Sequence, residues 1–467
     1  MTDTATRPAL LAGRRGVLLV GACTGLAALS LLLPAALSFD PWAWLVWGRE
    51  VGHLDLDTTG GPSWKPLPVL VTAVLAPLGA AAAPLWMLVT RAGALLGLVA
   101  TYRLAARFAG PPAGAIAAVL LLLTPDGDPR FLRLVGEGHV APLTIALALF
   151  AVEAHLAHRP RMALSLGWGV ALLRPEAWAF LGVYALWLWW RDRSARVFVA
   201  AMLASVALLW FGGDWWGSGD PWHGADAARV SASESLGSRA TNALTTGGAM
   251  VVVPAWVIAA IGLQTARRRG ERALLTVAGG ALAWSVLVAA MAVMLGYAAL
   301  SRFYLPAAAV VCVLAGIGVV RSFPPPGRGR MLWIAGVLLA VSLAVPRAAG
   351  IGPVTSALAE RGELEADLDV VIERTGGPEV LTVCGDVSVT GSGLLRPAVA
   401  WKLGIPLHRV PRARADRPGA MLLRSGSSPD HQMSLRPDVA ILARSSHWVA
   451  YAVDCPEAEL AVDVRES

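Results

Sequence analysis

Apolar runs recur from residue 16 to residue 345, and short arginine clusters separate them at intervals along the way. A chain built this way cannot close an ordinary water-soluble core. Of its 467 residues 56% are apolar and only 15% charged, so the runs have lipid as their natural solvent. Hydrocarbon offers no hydrogen-bond partners, so each run must satisfy its own backbone as a helix. The expected class is an all-α polytopic membrane protein. A net charge of +7 would otherwise fit a nucleic-acid binder, but the arginines fall between spans, as cytoplasmic loops require.

Charge placement then predicts a topology. Arg7, Arg14 and Arg15 set the N-terminus inside, and residues 16–37 form the first span. That start also has features of a cleavable signal, but the run is long enough to cross and further spans follow, so an uncleaved helix is expected. Residues 67–79 are too few for an upright crossing and are read as re-entrant or juxtamembrane. Spans follow at 85–108, 112–124, 140–156, 162–173, 178–190, 197–211, 249–263, 273–295, 305–320 and 331–345, eleven crossings in total. Counting residues 67–79 as a crossing would put every later arginine cluster on the wrong face. The N-terminus is therefore expected in the cytoplasm, and the C-terminal region outside the plasma membrane.

The composition becomes that of a soluble domain near residue 350, which divides the chain into a transmembrane domain, 1–348, and a small extracytoplasmic α/β domain, 349–467. Within it, residues 356–374 have helical apolar spacing, 394–403 read as a helix, and 379–384, 438–442 and 448–453 read as strands. Cys23 and Cys312 lie in apolar spans and read as packing residues. Cys384 and Cys455 lie in the outer domain, where oxidation is permitted, and are expected to pair; two free thiols are the alternative.

Residues 38–68, between the first span and the re-entrant run, carry Trp42, Trp44, Trp47 and Trp64 together with Asp40, Glu50, Asp55 and Asp57. Asp40 before Pro41 fits a helix start, with the aspartate as N-cap. It is equally a carboxylate fixed at the membrane boundary, able to take a proton from a hydroxyl.

An acidic residue directly after the first span, a surface helix, Lys65-Pro66-Leu67-Pro68 before a short apolar run, and a span ending YRLAARF resemble the GT-C class of membrane glycosyltransferases. LLRPEAW and GYAALSRFYLP are further similarities, and the likeness covers roughly the first 345 residues. The aminoarabinose, arabinofuranosyl and protein O-mannosyl transferases of that class use polyprenyl-phosphate donors. The resemblance implies a lipid-phosphate sugar donor, an inverting transfer on the outer face, and Asp40 as general base. Two departures stand out: Pro41 replaces the second acidic residue of several relatives, and Leu67 interrupts a Lys-Pro-Pro run.

Lys65 is one of two lysines in the chain and suits a donor phosphate as a compact charge; a headgroup-seeking interfacial lysine is the alternative. Arg302 and Arg174 break the charge rule by facing outward, which points to anionic partners: phosphate for Arg302, and Glu176 for Arg174. Asp126, Asp128, Glu137 and His139 form a second acidic group, and Asp214, Asp220 and His223 a third. Either has oxygen donors for a divalent cation, without the spacing of a metal motif. Trp215 and Trp216, with Trp222, present faces for a sugar, or belong to the aromatic belt of a membrane protein. The absence of a glycine-rich phosphate loop agrees with a lipid-linked donor, and no redox or nucleotide cofactor is implied.

The function expected is a hexosyl- or pentosyltransferase that moves a sugar from a polyprenyl phosphate to an envelope glycan, lipid or protein. A transporter or flippase of lipid-linked sugars is the alternative, disfavoured because charges sit at span ends and no paired halves are visible. A non-catalytic envelope assembly protein of the same architecture is a third reading.

Overall fold

A computed structural model of the chain describes residues 13–123, 125–126, 128–229, 235–323, 327, 330–331, 349–383, 385–390, 393–411, 418–437 and 439–455. It is mostly helical, with a small sheet near the C-terminus. The described chain divides into two compact units. One comprises Met1–Leu33, Met87–Trp210 and Ala228–Thr355, and the other Pro34–Trp86, Phe211–Ala227 and Ser356–Ser467. The second unit thus combines the stretch from Ser356 onward with two earlier ones, among them the tryptophan-rich loop.

Among the described residues, four helical stretches, not all of them confined to the first unit, bear on the membrane. Pro66–Ala109, Arg193–Ser218, Arg272–Leu295 and Ser301–Arg321 are long and apolar enough to cross; six qualify if the bent pairs at residues 130–156 and 236–268 each count once. The helix Arg14–Ser30, with 17 residues, is shorter than these, as are Pro160–Leu173 and Ala177–Arg191, with 14 and 15. Of the expected final span, all but Met331 lies outside the described residues. Prolines open the helices Pro111–Leu122, Ala141–Leu156, Pro160–Leu173 and Val253–Arg268, where the missing N–H has no partner to lose.

Small residues set the closest packing here. A Cβ on Gly262 would lie 2.2 Å from the Leu314 carbonyl, and one on Gly316 2.3 Å from the Ala113 carbonyl. Helix Ser301–Arg321 therefore lies against two neighbours at backbone distance, the usual route to tight packing where lipid gives no hydrophobic drive. Arginines expected on the cytoplasmic side also staple helix ends. Arg321 pairs with Glu271 at 2.7 Å and donates to the Phe108 carbonyl at 2.8 Å, Arg103 pairs with Glu153, and Arg161 pairs with Asp192 at 3.1 Å.

The second unit contains helix α1 (Phe39–His53), helix α2 (Pro66–Leu75), the long helix α3 (Ile351–Arg374) from Ser356 onward, short helices α4 (Pro378–Thr382), α5 (Arg396–Leu403) and α6 (Ser428–Met433), and a four-stranded sheet. Strands β1 (Val387–Val389), β2 (Gly419–Arg424), β3 (Val439–Arg444) and β4 (Trp448–Val453) lie in the order β1-β2-β4-β3, with β1 parallel to β2 and the other pairs antiparallel. Ala43 and Val46 of α1 share a core with Leu368 and Val371 of α3, Leu422 of β2 and Trp448 of β4. The helix expected to lie on a surface is thus enclosed within this unit, with Ala43, Trp44, Leu45, Val46 and Trp47 all buried.

Strand β4 coincides with its sequence expectation. Residues 379–384 do not: they are helical to Thr382, because Pro378 opens a turn with Glu379 in it, and apolar runs this short fit either period. The expected 67–79 segment ends at Gly79, whose φ of 58° and ψ of −126° break the chain between α2 with its 3-10 extension (Ala76–Ala81) and the helix Ala82–Ala109. Residues 212–218, expected in an outer loop, instead continue the helix Arg196–Ser218.

Candidate functional site

The site is built on α1 and α2. Ser38, in extended conformation, is the N-cap of α1, so Asp40 stands in the first turn instead of at the cap expected for it. A carboxylate there is favoured by the positive end of the helix dipole. Lys65 is the N-cap of α2, with Pro66 at its first position. The two helices approach at backbone distance: a Cβ on Gly48 would lie 2.5 Å from the Thr72 backbone, and Thr72 Oγ1 donates to the Trp44 carbonyl at 2.6 Å.

That packing brings Lys65 Nζ to 3.7 Å from Asp40 Oδ2, with the two side chains 8% and 12% exposed. Lys65 Nζ also lies 5.2 Å from the centre of the Trp44 ring. Trp44 contacts Trp86 edge-on at 5.7 Å, and Trp47 contacts Trp64 at 5.8 Å. A carboxylate and an ammonium group thus share a low-dielectric aromatic setting, where electrostatic interactions are stronger than in water.

Glu50, farther along α1, is buried. Its Oε2 accepts the Asp57 amide at 3.0 Å, while Oε1 has no hydrogen-bond partner among the described residues. Burial pushes its carboxyl up to about 8, against the lowering effect of that amide and of Arg49. Glu365 on α3 accepts from Trp42 Nε1 at 3.4 Å, and burial holds it up to about 7. Trp64 packs where a Cβ on Gly213 would meet its ring at 2.4 Å, and Thr58 packs likewise over Gly217 at 2.6 Å. Glycines at these helical positions let the loop lie flat on the helix end, and no sequence periodicity announced it.

The other expected site residues are placed as follows. Asp214 is buried, its Oδ1 without a hydrogen-bond partner among the described residues; Asp220 accepts from the Trp222 amide at 2.9 Å, and His223 Nε2 lies 3.2 Å from the Thr58 carbonyl. Trp215, Trp216 and Trp222 are exposed. In the first unit, Arg174 lies 4.3 Å over the Phe303 ring and donates to the Arg302 carbonyl at 3.4 Å, and Arg302 lies 5.6 Å from the same ring. Glu176 is buried there, Glu137 closes the helix Arg130–Gly136 through its amide, and His139 is buried. The side chains of Asp126 and Asp128 lie outside the described residues, and no group of three or more metal-ligating side chains comes together among the described ones. Cys455 is disulfide-bonded, and Cys23 and Cys312 are free; Cys384, its expected partner, lies outside the described residues.

The mostly helical chain with its small mixed sheet has a GT-C-like fold. The chain superposes on ArnT from Cupriavidus metallidurans bound to undecaprenyl phosphate with a TM-score of 0.57, at 16% identity, over 94% of this chain and 98% of that one. Its apo state gives 0.56, again at 16% identity, over 94% and 97%. The archaeal oligosaccharyltransferase AglB from Archaeoglobus fulgidus, in complex with an inhibitory peptide and a dolichol-phosphate, gives 0.49 at 12% identity, over 87% of this chain and 69% of that one. No family model matches the chain, and no curated protein matches its sequence. What the likeness to ArnT establishes is the fold.

Proposed function

We propose that this protein is a membrane glycosyltransferase that moves a hexosyl or pentosyl group from a polyprenyl phosphate to a cell-envelope acceptor on the outer face of the membrane. The observation that carries the reading is the buried Asp40 and Lys65 pair, in a fold shared with a protein whose structure holds undecaprenyl phosphate. Asp40 takes the proton of an acceptor hydroxyl, and the freed oxygen attacks the anomeric carbon. The bond from that carbon to the phosphate oxygen breaks, and the phosphate leaves with the electron pair. Attack opposite the leaving group inverts the anomeric centre. Lys65 or Arg302 neutralises the phosphate as its charge grows.

The chain crosses the membrane eleven times in this proposal, with residues 67–79 re-entrant, the N-terminus inside and the C-terminal domain outside. Arginine placement supports that orientation. Two measurements test the function. Mass spectrometry of lipid retained by the purified protein should find a polyprenyl phosphate or its glycosylated form. Asp40→Asn should lower transfer by about 100-fold or more, the usual contribution of general base catalysis, with expression intact. Undiminished transfer by that variant removes Asp40 as the base.

A further inference from the structure

We propose that His408, from the C-terminal domain, is a positioning residue for Lys65 and its partner Asp40, acting through Asp57. The inference takes its catalytic meaning from the function proposed above, while its structural content stands apart from it. Residues 54–64, which deliver Lys65 to the head of α2, contain no helix or strand, so something outside the segment must fix its path.

Asp57 is where that path is held. Its amide donates to Glu50 on α1 at 3.0 Å, its Oδ1 accepts from the Thr59 amide at 2.8 Å and hydroxyl at 2.5 Å, and its Oδ2 meets His408 Nδ1 at 2.6 Å. The two Thr59 contacts are local and would travel with the loop, while the amide bond to Glu50 ties it to α1. Among the described residues, His408 ties Asp57 to a distant part of the sequence. Its own position is firm, because the preceding Leu407 is buried in the domain core and Arg409 donates to the Gly385 carbonyl at 2.7 Å.

Two further contacts make the same junction rigid. A Cβ on Gly60 would lie 2.7 Å from the His408 amide nitrogen, so the loop and the His408 segment meet backbone to backbone. Arg49 of α1 donates to the Trp401 and Ile405 carbonyls at 3.2 and 2.8 Å, satisfying orphan groups at the end of α5. The C-terminal domain thereby holds α1 and the middle of the loop, and His408 is its side chain that reaches Asp57.

The chain's two lysines make a direct test possible. Amine acetylation by sulfo-N-hydroxysuccinimide acetate, followed site by site with mass spectrometry on the full-length protein in detergent, compares buried Lys65 with Lys402, which pairs with Asp369 at 2.5 Å. His408→Ala should raise the Lys65 rate about fivefold or more and leave Lys402 unchanged, since local opening exposes only the loop. His408→Gln, which keeps a side-chain donor, should restore the slow rate. Binding of undecaprenyl phosphate, followed by tryptophan fluorescence, should weaken severalfold in His408→Ala and recover in His408→Gln. An unchanged Lys65 rate in His408→Ala overturns the proposal. Should that variant loosen both lysines, Asp57→Asn decides, and a wild-type Lys65 rate there overturns it as well. If the wild-type protein fails to bind undecaprenyl phosphate while the acetylation contrast persists, the glycosyltransferase reading falls and the positioning role stands.

Discussion

Glu50 supplies the sharpest physical prediction. It is buried beside the loop, and its carboxyl is pushed from 4.5 to about 8, chiefly by burial. The folded protein therefore holds this proton more tightly than the unfolded chain does. Below pH 4.5 both forms are protonated and the residue contributes no slope. From there to pH 8 the unfolded chain releases the proton first, so folding stability falls as pH rises. Above 8 the loss is complete. The interval is worth at most about 5 kcal/mol, and local relaxation that admits water reduces the expected value to about 2 kcal/mol.

Glu50→Gln removes the charge and keeps an oxygen for the Asp57 amide. The variant and the wild type should melt together at pH 4.5 and separate progressively to pH 8.5, with the variant more stable. For a unit of this size about 2 kcal/mol corresponds to a difference of roughly 4–8 °C. The assay is intrinsic tryptophan fluorescence of the protein in detergent, scanned at one fixed heating rate at each pH. Parallel curves, or a variant that is less stable at pH 8.5, would show that Glu50 is ionised and accommodated in the fold, against this reasoning.

Lys65→Ala should weaken binding of undecaprenyl phosphate more than Lys65→Arg, since arginine keeps the charge but not the compact ammonium; equal loss in a binding titration would argue against a phosphate role. Gly217→Ala would place a Cβ 2.6 Å from Thr58 and should lower the melting midpoint by an amount equivalent to about 1–3 kcal/mol. Gly182→Ala, where nothing lies within 4 Å, should not lower it. Arg321→Ala leaves Glu271 without its bidentate partner and should cost about 3 kcal/mol, with part of the loss recovered by adding Glu271→Gln; additive effects in that double mutant would deny the coupling.

Membrane residence and the change of composition near residue 350 were legible in the chain, because transfer of a run into lipid depends on that run alone. Strand Trp448–Val453 and helix Arg396–Leu403 were close to their expected places for a similar reason: apolar spacing and the αL glycine, Gly404, that closes the helix are local signals. Asp40 and Lys65 could be chosen as candidates from their neighbours in sequence. Their 3.7 Å approach could not, since it depends on a glycine in one helix receiving a threonine from another.

Tertiary structure likewise decided that Glu50 is buried and that His408 reaches Asp57. Neither residue carries a local pattern, and histidines and glutamates on helices and turns are commonly solvated. It also decided that residues 212–218 continue a helix, because Gly213 and Gly217 read as loop formers until Trp64 and Thr58 fill the space beside them. Sequence determines what each segment can be, through propensity and partition between water and lipid. Which charged groups lose water and find one another is set only when distant segments pack, since desolvation and Coulomb energy depend on separation in space.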